Sequence, residues 1–427
     1  MNYFNIHEYV ERQYFNNKLI WIIVLVGFIV RSVFILLFNE NFYLYDAPRY
    51  LLIAENIINK GEFSAFNHSF HSPPITPLLY SLIILFFGVN VKIIALFQTV
   101  FSCASVFLIF FIGKNVFSRI IGIVSASICA LYPYFIWFNG ILITETFALF
   151  FLLLYISMII LIKKINNPWF LFMIGIVGGL ANLTKSIFFF MSPFVLLFII
   201  YVMYSNHQRM INIFRGSFSF ILGLILIMSP WIYRNYSLSE GRIIPVTKDN
   251  GVMLYLQIGR YLDPNYEYQK HMSRGSNPFI DSRKSEFEND KIKFELKMDD
   301  YYSQITFDLI LDYPTKYLSI VWKNFYRFWA IYPFQYHDEA NLKYLIIGLL
   351  SFGIFVPFFI YGCVNIFRER SLYPSLLILI IIYFTIIHSL ILGMIRYRIP
   401  IDPLFILISV YGIDRLFTTK DIFKRLG

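Results

Sequence analysis

The chain has 427 residues, 58% of them hydrophobic, 20% aromatic and 15% charged, with a mean hydropathy of +0.63 and a formal net charge of +10. A soluble globular domain carries about 25% charge, so the composition excludes one and indicates an all-α polytopic membrane protein. Nor does the positive balance indicate nucleic acid: residues 234–341 hold fourteen Lys/Arg against fifteen Asp/Glu, and the excess sits in short connections between apolar runs, as the positive-inside rule produces, not in a phosphate-binding stripe.

Residues 1–17 are polar and mixed in charge. The apolar run 18–38 is too long for the h-region of a cleaved signal, so the first span is expected to stay in the protein. Runs near the roughly 20 residues needed to cross about 30 Å of hydrocarbon recur at 92–112, 120–138, 143–162, 168–184, 187–204, 216–233, 342–366, 372–392 and 399–417, which makes about ten spans in all. Cys103, Cys129 and Cys363 fall inside apolar runs, with neither metal-ligand spacing nor a disulfide framework. They read as small buried side chains.

Between the first two spans lies "LYDAPRYLLIAENIINKGEF", residues 44–63. Pro48 suits the first turn of a helix, Asp46 is placed to cap it and Gly61 to end it. Tyr50, Ile53, Ala54, Ile57 and Ile58 gather on one side at helical spacing, with Arg49, Glu55, Asn56, Asn59 and Lys60 on the other. Such a helix lies in the interface plane. A cap and a lipid-phosphate contact would explain Asp46 and Arg49 singly, but an acid–arginine pair at membrane depth points to function.

The next run, 75–88, is apolar but short, bounded by Pro73-Pro74 and Gly88. If it crossed the bilayer, Lys114, Arg119, Lys163, Lys164, Arg209, Arg215, Arg368, Arg370 and the tail Lys420, Lys424 and Arg425 would nearly all lie outside, against the charge bias. Taken as a re-entrant or interfacial helix, it leaves both termini cytoplasmic. Four features then share the outer face: the stretch 44–63, the turn "NGILITETF" around Glu145, the long segment 234–341 and the turn "GMIRYRIP" at 393–400.

Glu145 begins the fourth span, where Thr144-Glu145 is also a good helix start and an acid is stabilising without further function. Both readings stand. Lys185 and Arg234 mark the outer ends of their spans, Lys185 placed to snorkel. The segment 234–341 has no repeat, no glycine-rich phosphate cradle and no cysteine. It reads as charged amphipathic helix interrupted at Pro314. Its Tyr255, Tyr261, Tyr266, Tyr268, Tyr301 and Tyr302 can stack on sugar or, more commonly, anchor at the interface. A lid that selects the acceptor is expected there. Arg396 and Arg398 stand in an outer turn beside Pro400 and Pro403, where the charge bias does not explain them. Arg31 and His388 lie inside spans and are left out of the site. The chain thus divides into a core at 1–233 carrying juxtamembrane helices at about 46–88, an extracytoplasmic loop at 234–341, and C-terminal spans at 342–427.

"DAPRY", "GEF" and "PPITPLL" resemble the first outer loop of GT-C class glycosyltransferases, the group of dolichyl-phosphate-mannose protein mannosyltransferases and lipid A aminoarabinose transferases. "SPWIYRNYSLSEGRIIPVTKDNG" (229–251), "DYPTKYLSIVWKNFYRFW" (312–329) and "RYRIPIDPLFILISVYG" (396–412) are similar to that group's exit before its long loop, its closing amphipathic helix and its approach to the last span. The resemblance implies a GT-C-like bundle that transfers a sugar from a polyprenyl-phosphate carrier to a hydroxyl acceptor (lipid, glycan or protein), with inversion, at the outer face of the plasma (inner) membrane. It implies Asp46 as general base, Arg49 orienting it or touching phosphate, Tyr50 packing beside them, and Glu145 binding sugar or acceptor. Arg396 and Arg398 would hold the phosphate, with Arg234 and Lys185 as weaker candidates of the same kind.

The sequence departs from aminoarabinose transferases just before the Pro-Pro, where they carry an acid–lysine pair used for metal and phosphate and this chain has His71 and Ser72. A divalent metal is therefore an open expectation, resting on His71 with His68. Two other classes compete. A transporter or flippase would show paired halves with broken helices near the midplane, and no such repeat is seen. A glycan polymerase or ligase would share the long loop and arginines without needing an acid–arginine pair after the first span.

Overall fold

The computed structural model describes residues 3–66, 68–162, 167–263, 290–331 and 342–426; the expectations at Lys163, Lys164, Tyr266 and Tyr268 lie outside them, as do those on the side chains of Lys420, Lys424 and Arg425. Among these residues the regular structure is helical, with one isolated bridge between Ala65 and His68. Six helices are long and apolar enough to cross a membrane: Lys18–Phe38, Val91–Val116, Ser186–Ser205, Met210–Leu238, Tyr344–Glu369 and Leu372–Leu390. The pair Arg119–Ala130 and Pro133–Asn139, bent by 52°, makes a seventh if it forms one span. Of the remaining expected spans, two correspond to the shorter apolar helices Glu145–Leu161 and Pro168–Thr184, and the last to Asp402–Leu426.

The bend has a local cause. Pro133 cannot continue a helix from the preceding turn, so the carbonyls of Cys129 and Ala130 lose their helical partners. Arg31, fully buried in the first span, donates to both, at 3.2 Å and 2.6 Å, and to Ser102 Oγ at 2.9 Å. This intramembrane arginine therefore compensates broken backbone, the condition under which irregular chain is tolerated at that depth. Elsewhere small residues set helix spacing. A Cβ at Gly175 would fall 2.0 Å from the Phe220 carbonyl oxygen and one at Gly223 2.1 Å from that of Phe172, so Pro168–Thr184 and Met210–Leu238 pack backbone to backbone.

The helix Ala47–Lys60 forms where the periodicity places it, buries Tyr50, Leu51, Ile53 and Ala54, and ends at Gly61 in the left-handed conformation (φ 68°). Ile75–Phe87 follows. At about 1.5 Å per residue it is too short for about 30 Å of hydrocarbon, and its Leu82, Leu85 and Phe86 are exposed. In the long segment, Lys291–Asp312 and Pro314–Phe328 are separated at Tyr313, as Pro314 dictates. The second of these crosses the C-terminal end of Leu372–Leu390. Asn324 Nδ2 donates to the carbonyls of Ser389 (3.2 Å) and Ile391 (3.3 Å), and Tyr317 to that of Leu390 (3.1 Å), which satisfies groups a helix end leaves open. Gly393 allows this contact, since a Cβ there would meet the Asn324 carbonyl oxygen at 1.8 Å.

Candidate active site

Four separate parts of the sequence converge at one end of the bundle. The turn after the first span supplies Asp46, the turn before Glu145–Leu161 supplies Glu145, the break after Pro168–Thr184 supplies Lys185, and the turn 393–400 supplies Arg396. The first two turns are joined directly: Leu142 N donates to the Phe42 carbonyl at 3.2 Å and Asn39 Nδ2 to that of Gly140 at 2.6 Å. Beneath them Gln98, fully buried, donates to the carbonyls of Asn139 and Ile141 at 3.1 Å and accepts from Tyr80 at 2.7 Å, while Asn139 donates to Thr99 Oγ1 at 2.8 Å. These buried bonds tie the two joined turns to the helix Val91–Val116 beneath them.

Arg396 is the centre. Its Nη2 donates to Asp46 Oδ2 at 2.7 Å and its Nε to Glu145 Oε1 at 2.6 Å, so one guanidinium bridges two carboxylates. The same Glu145 oxygen accepts from Lys185 Nζ at 3.2 Å, and Asp46 Oδ1 accepts from Arg49 Nη2 at 2.7 Å. Both oxygens of Asp46 are thus engaged by arginines. Aromatic rings wall the cluster: Tyr45 and Tyr397 lie 4.9 and 5.6 Å from the Arg396 guanidinium, and Lys185 Nζ sits 4.8 Å over Tyr397, within the range of cation–π attraction. Tyr45 adopts φ 61°, an uncommon conformation for a bulky residue that tends to gather at functional sites; it is followed at once by Asp46.

Burial pushes the Asp46 carboxyl up, but Arg396 and Arg49 together outweigh it and hold the group below its ordinary range. Burial would likewise lower Arg396, yet Glu145 and Asp46 raise it well above the usual arginine value. The site is a set of opposed charges: two carboxylates against Arg49, Lys185 and Arg396.

A second layer comes from the long segment. His71 Nε2 stands 3.3 Å from Asp249 Oδ2, and Glu295 accepts from the backbone N–H groups of Ser69 (2.8 Å) and Phe70 (3.2 Å). Asp299 accepts from those of Gly251 and Val252 and pairs with Lys248 at 2.9 Å. The helix Lys291–Asp312 therefore clasps both the loop before Pro73 and the loop carrying Asp249.

Several expectations need correction. Asp46 precedes the helix but makes no side-chain cap bond, because both oxygens face arginines. Lys185 does not snorkel; it turns inward onto Glu145. Glu145 is not merely a helix-starting acid, being fully buried in an ion network. Tyr50 packs in the core as expected. Arg398 lies apart from Arg396: fully buried, it donates to Asp402 at 2.8 Å and to the carbonyls of Phe328 and Ala330 at 3.2 and 2.9 Å, under the ring of Phe352. Arg234 also stands apart, holding the carbonyls of Ser69 (2.8 Å) and Phe63 (2.9 Å) among Phe63, Phe70 and Trp231. Two residues apart in sequence, Arg396 and Arg398 serve different neighbourhoods.

The Arg398–Asp402 pair yields a first prediction. Arg398→Met or Asp402→Leu alone is expected to destabilise the protein by about 3–5 kcal/mol, because the remaining charge is left buried and unpaired, whereas the double variant recovers most of that loss. Thermal unfolding in detergent, followed by a thiol-reactive dye at the buried Cys103 and Cys129, measures all three.

The metal expectation bears on the same residues. Asp46 and Glu145 are the oxygen donors a hard divalent cation uses, but Arg396 already bridges them. His68 and His71, with ring centres 5.5 Å apart, face separate carboxylates, Glu295 and Asp249. Among the described residues no group of three His, Cys, Asp or Glu is placed to hold a metal ion.

Residues 71–233 match the family model described as dolichyl-phosphate-mannose-protein mannosyltransferase. No curated protein matches the sequence. Among solved structures, the chain is similar to the archaeal oligosaccharyltransferase AglB from Archaeoglobus fulgidus in complex with an inhibitory peptide and a dolichol-phosphate, at 15% identity and a TM-score of 0.58, over 97% of this chain and 52% of that one. The apo form of the Archaeoglobus fulgidus oligosaccharyltransferase gives the same values. Its complex with Zn and sulfate matches at 13% identity and a TM-score of 0.56, over 94% of this chain and 50% of that one. The chain therefore spans about half the length of these solved relatives, whose fold it shares over that length.

Proposed function

We infer that the chain is an integral membrane glycosyltransferase of GT-C type that moves a sugar from a polyprenyl-phosphate carrier to a hydroxyl acceptor, with inversion at the anomeric carbon. The observation that carries this reading is Arg396 bridging Asp46 and Glu145, beside Arg49 and Lys185. A carboxylate to accept a proton and cations to receive a phosphate are the two things the reaction requires. The placement of basic residues supports a topology of about ten spans with both termini cytoplasmic, which puts this cluster on the extracytoplasmic face, with the helices Lys291–Asp312 and Pro314–Phe328 as parts of a lid.

Both Asp46 oxygens accept from arginines, so the resting carboxylate is a poor base. The donor's phosphate unlocks it by competing for Arg396 and Lys185. As the bond from the anomeric carbon to the phosphate oxygen lengthens, negative charge grows on the phosphate and draws the guanidinium further from Asp46. The freed carboxylate then takes the acceptor's proton while the acceptor oxygen attacks the opposite face of the sugar. Glu145, held from below, keeps Arg396 and Lys185 aimed at the phosphate. His68 and His71 take no metal in this scheme.

Membrane vesicles containing the protein, given synthetic undecaprenyl-phosphate mannose or glucose with a radiolabelled sugar, test the reading through label transfer to endogenous acceptors and the anomeric configuration of the product. Transfer with inversion is expected, and retention would remove the single-displacement scheme. Solute movement without transfer would favour the transporter or flippase class instead. Transfer is also expected to persist within about twofold in excess chelator, because a guanidinium occupies the place between the carboxylates; rates that collapse and return with added metal would contradict this.

A further inference from the structure

The transfer reaction releases a proton that Asp46 is ill suited to keep, since its two arginines return once the phosphate has left. The structure holds a second pair whose charges bear on it. His71, immediately before the Ser72-Pro73-Pro74 turn, faces Asp249 in the long segment at 3.3 Å, and both side chains are mostly buried (17% and 16% exposed). Arg49 links the pair to the cluster: it donates to Asp46 at 2.7 Å, and its charge acts on both His71 and Asp249. Two buried nitrogens here, Arg49 Nε and His71 Nε2, have no hydrogen-bond partner among the described residues. Buried polar atoms left open in this way call for an explanation.

We propose that His71 and Asp249 form a proton-accepting pair that carries away the proton the acceptor hydroxyl gives to Asp46. The proposal rests on the glycosyl-transfer reading. In the transfer step the acceptor O–H bond breaks and the bond from its oxygen to the anomeric carbon forms. The carbon–phosphate oxygen bond breaks, its electron pair leaving with the lipid phosphate, and the proton goes to Asp46. When Arg396 and Arg49 close again on Asp46, that proton moves to one nitrogen of His71. His71 Nε2, 3.3 Å from Asp249 Oδ2 at rest and not yet hydrogen-bonded to it, closes onto that oxygen and gives up its proton there, and Asp249 later loses it to water.

The surroundings suit both members. Burial, then the charges of Arg49 and His68, push the His71 imidazole down to about 3, against a smaller upward pull from Asp46; it is neutral at ordinary pH and relays a proton without retaining it. Burial raises Asp249 to about 7; Arg49 opposes this, while Asp299, Glu295 and Asp46 add to it. Lys248, its chain neighbour, is turned to Asp299 and Asp300 at 2.9 and 2.8 Å, so that among the described residues no lysine or arginine pairs with Asp249. A carboxyl titrating near working pH is the kind that exchanges protons efficiently.

The test combines kinetics with spectroscopy on the full-length protein. With undecaprenyl-phosphate mannose or glucose in vesicles, wild-type transfer is expected to rise with pH through about 7, as Asp249 ionises and becomes able to accept. Asp249→Asn should lose that rise and run about 10²-fold slower on the plateau, and His71→Asn should slow transfer similarly. Infrared titration of the purified protein should show a protonated carboxyl band that disappears as pH rises through about 7 and is absent in Asp249→Asn. An unchanged pH profile in folded Asp249→Asn, or no such band, overturns the pair. If Asp46→Asn is fully active, or the wild type transfers neither sugar, the underlying reading fails instead, and the infrared band alone then decides whether the pair holds a proton near neutrality.

Discussion

Asp46→Asn is expected to lower sugar transfer by about 10²–10⁴-fold, the usual contribution of a positioned general base, while leaving the unfolding temperature within a few degrees of wild type. The asparagine amide keeps the shape of the carboxylate but cannot accept the proton. Folding tolerates the change because Asp46 lies at the mouth of the cluster, with its side chain 30% exposed, and Arg396 keeps Glu145 as a buried partner. A pH signature accompanies the loss. Since the two arginines hold Asp46 below its ordinary range, its contribution to stability is complete above the unfolded value of about 3.9 and fades as pH falls through the lower folded value. Unfolding measured against pH should therefore show a smaller acid-induced decline in Asp46→Asn than in wild type. Full transfer activity in the variant would remove Asp46 from the chemistry.

Substitution at Arg396 should have the larger combined effect. Arg396→Met leaves Glu145, which is fully buried, with Lys185 as its remaining cation. Breaking a buried ion pair in this way costs about 3–5 kcal/mol, and losing the phosphate-facing cation removes a further 10²–10³-fold in rate if it acts as oxyanion donors do, roughly. Two further variants separate these effects. Arg396→Lys keeps the charge but, as a point charge on a flexible stem, cannot span Asp46 and Glu145 as the planar fork does; it should fold and still transfer poorly. Arg396→Met combined with Glu145→Gln should recover much of the stability and none of the activity. Thermal unfolding and initial transfer rates on the same preparations give both quantities.

Helix placement was legible because it follows local rules. The Asp46–Gly61 signals delimited the helix Ala47–Lys60, Pro314 divided the charged segment, and the apolar runs fell on helices. Lengths were legible in part: the run 168–184 is the helix Pro168–Thr184, while 143–162 forms the shorter Glu145–Leu161. Charge placement brought Asp46, Glu145 and Arg396 to one face, and the structure joins them through hydrogen bonds between turns 100 and 250 residues apart in sequence.

Side-chain direction was the part that sequence did not carry. Arg396 and Arg398 look alike in "RYRIP", yet Arg398 turns into the bundle toward Asp402, and no periodicity in so short a turn distinguishes them. Lys185 resembles any cation at a span end until the position of Glu145 is known. Asp249 was hidden for a different reason: in a loop of balanced charge, one more acid in "TKDNG" carries no signal, and it meets His71 through the clasp of Glu295 and Asp299 and the backbone bond from Lys248 N to the Phe70 carbonyl at 3.0 Å. Tyr45 stood in the first stretch to attract notice, but its left-handed backbone and its ring over Arg396 are properties of the folded turn.

The most direct test of the central claim is an experimental density map of the protein with synthetic undecaprenyl phosphate bound in nanodiscs. The account predicts the phosphate within hydrogen-bonding distance of Arg396 and Lys185, the polyprenyl chain running into the bilayer, and the Arg396–Asp46 contact opened from its resting 2.7 Å so that Asp46 faces the place of the sugar. A phosphate held elsewhere, with Arg396 still closed on both carboxylates, would contradict it.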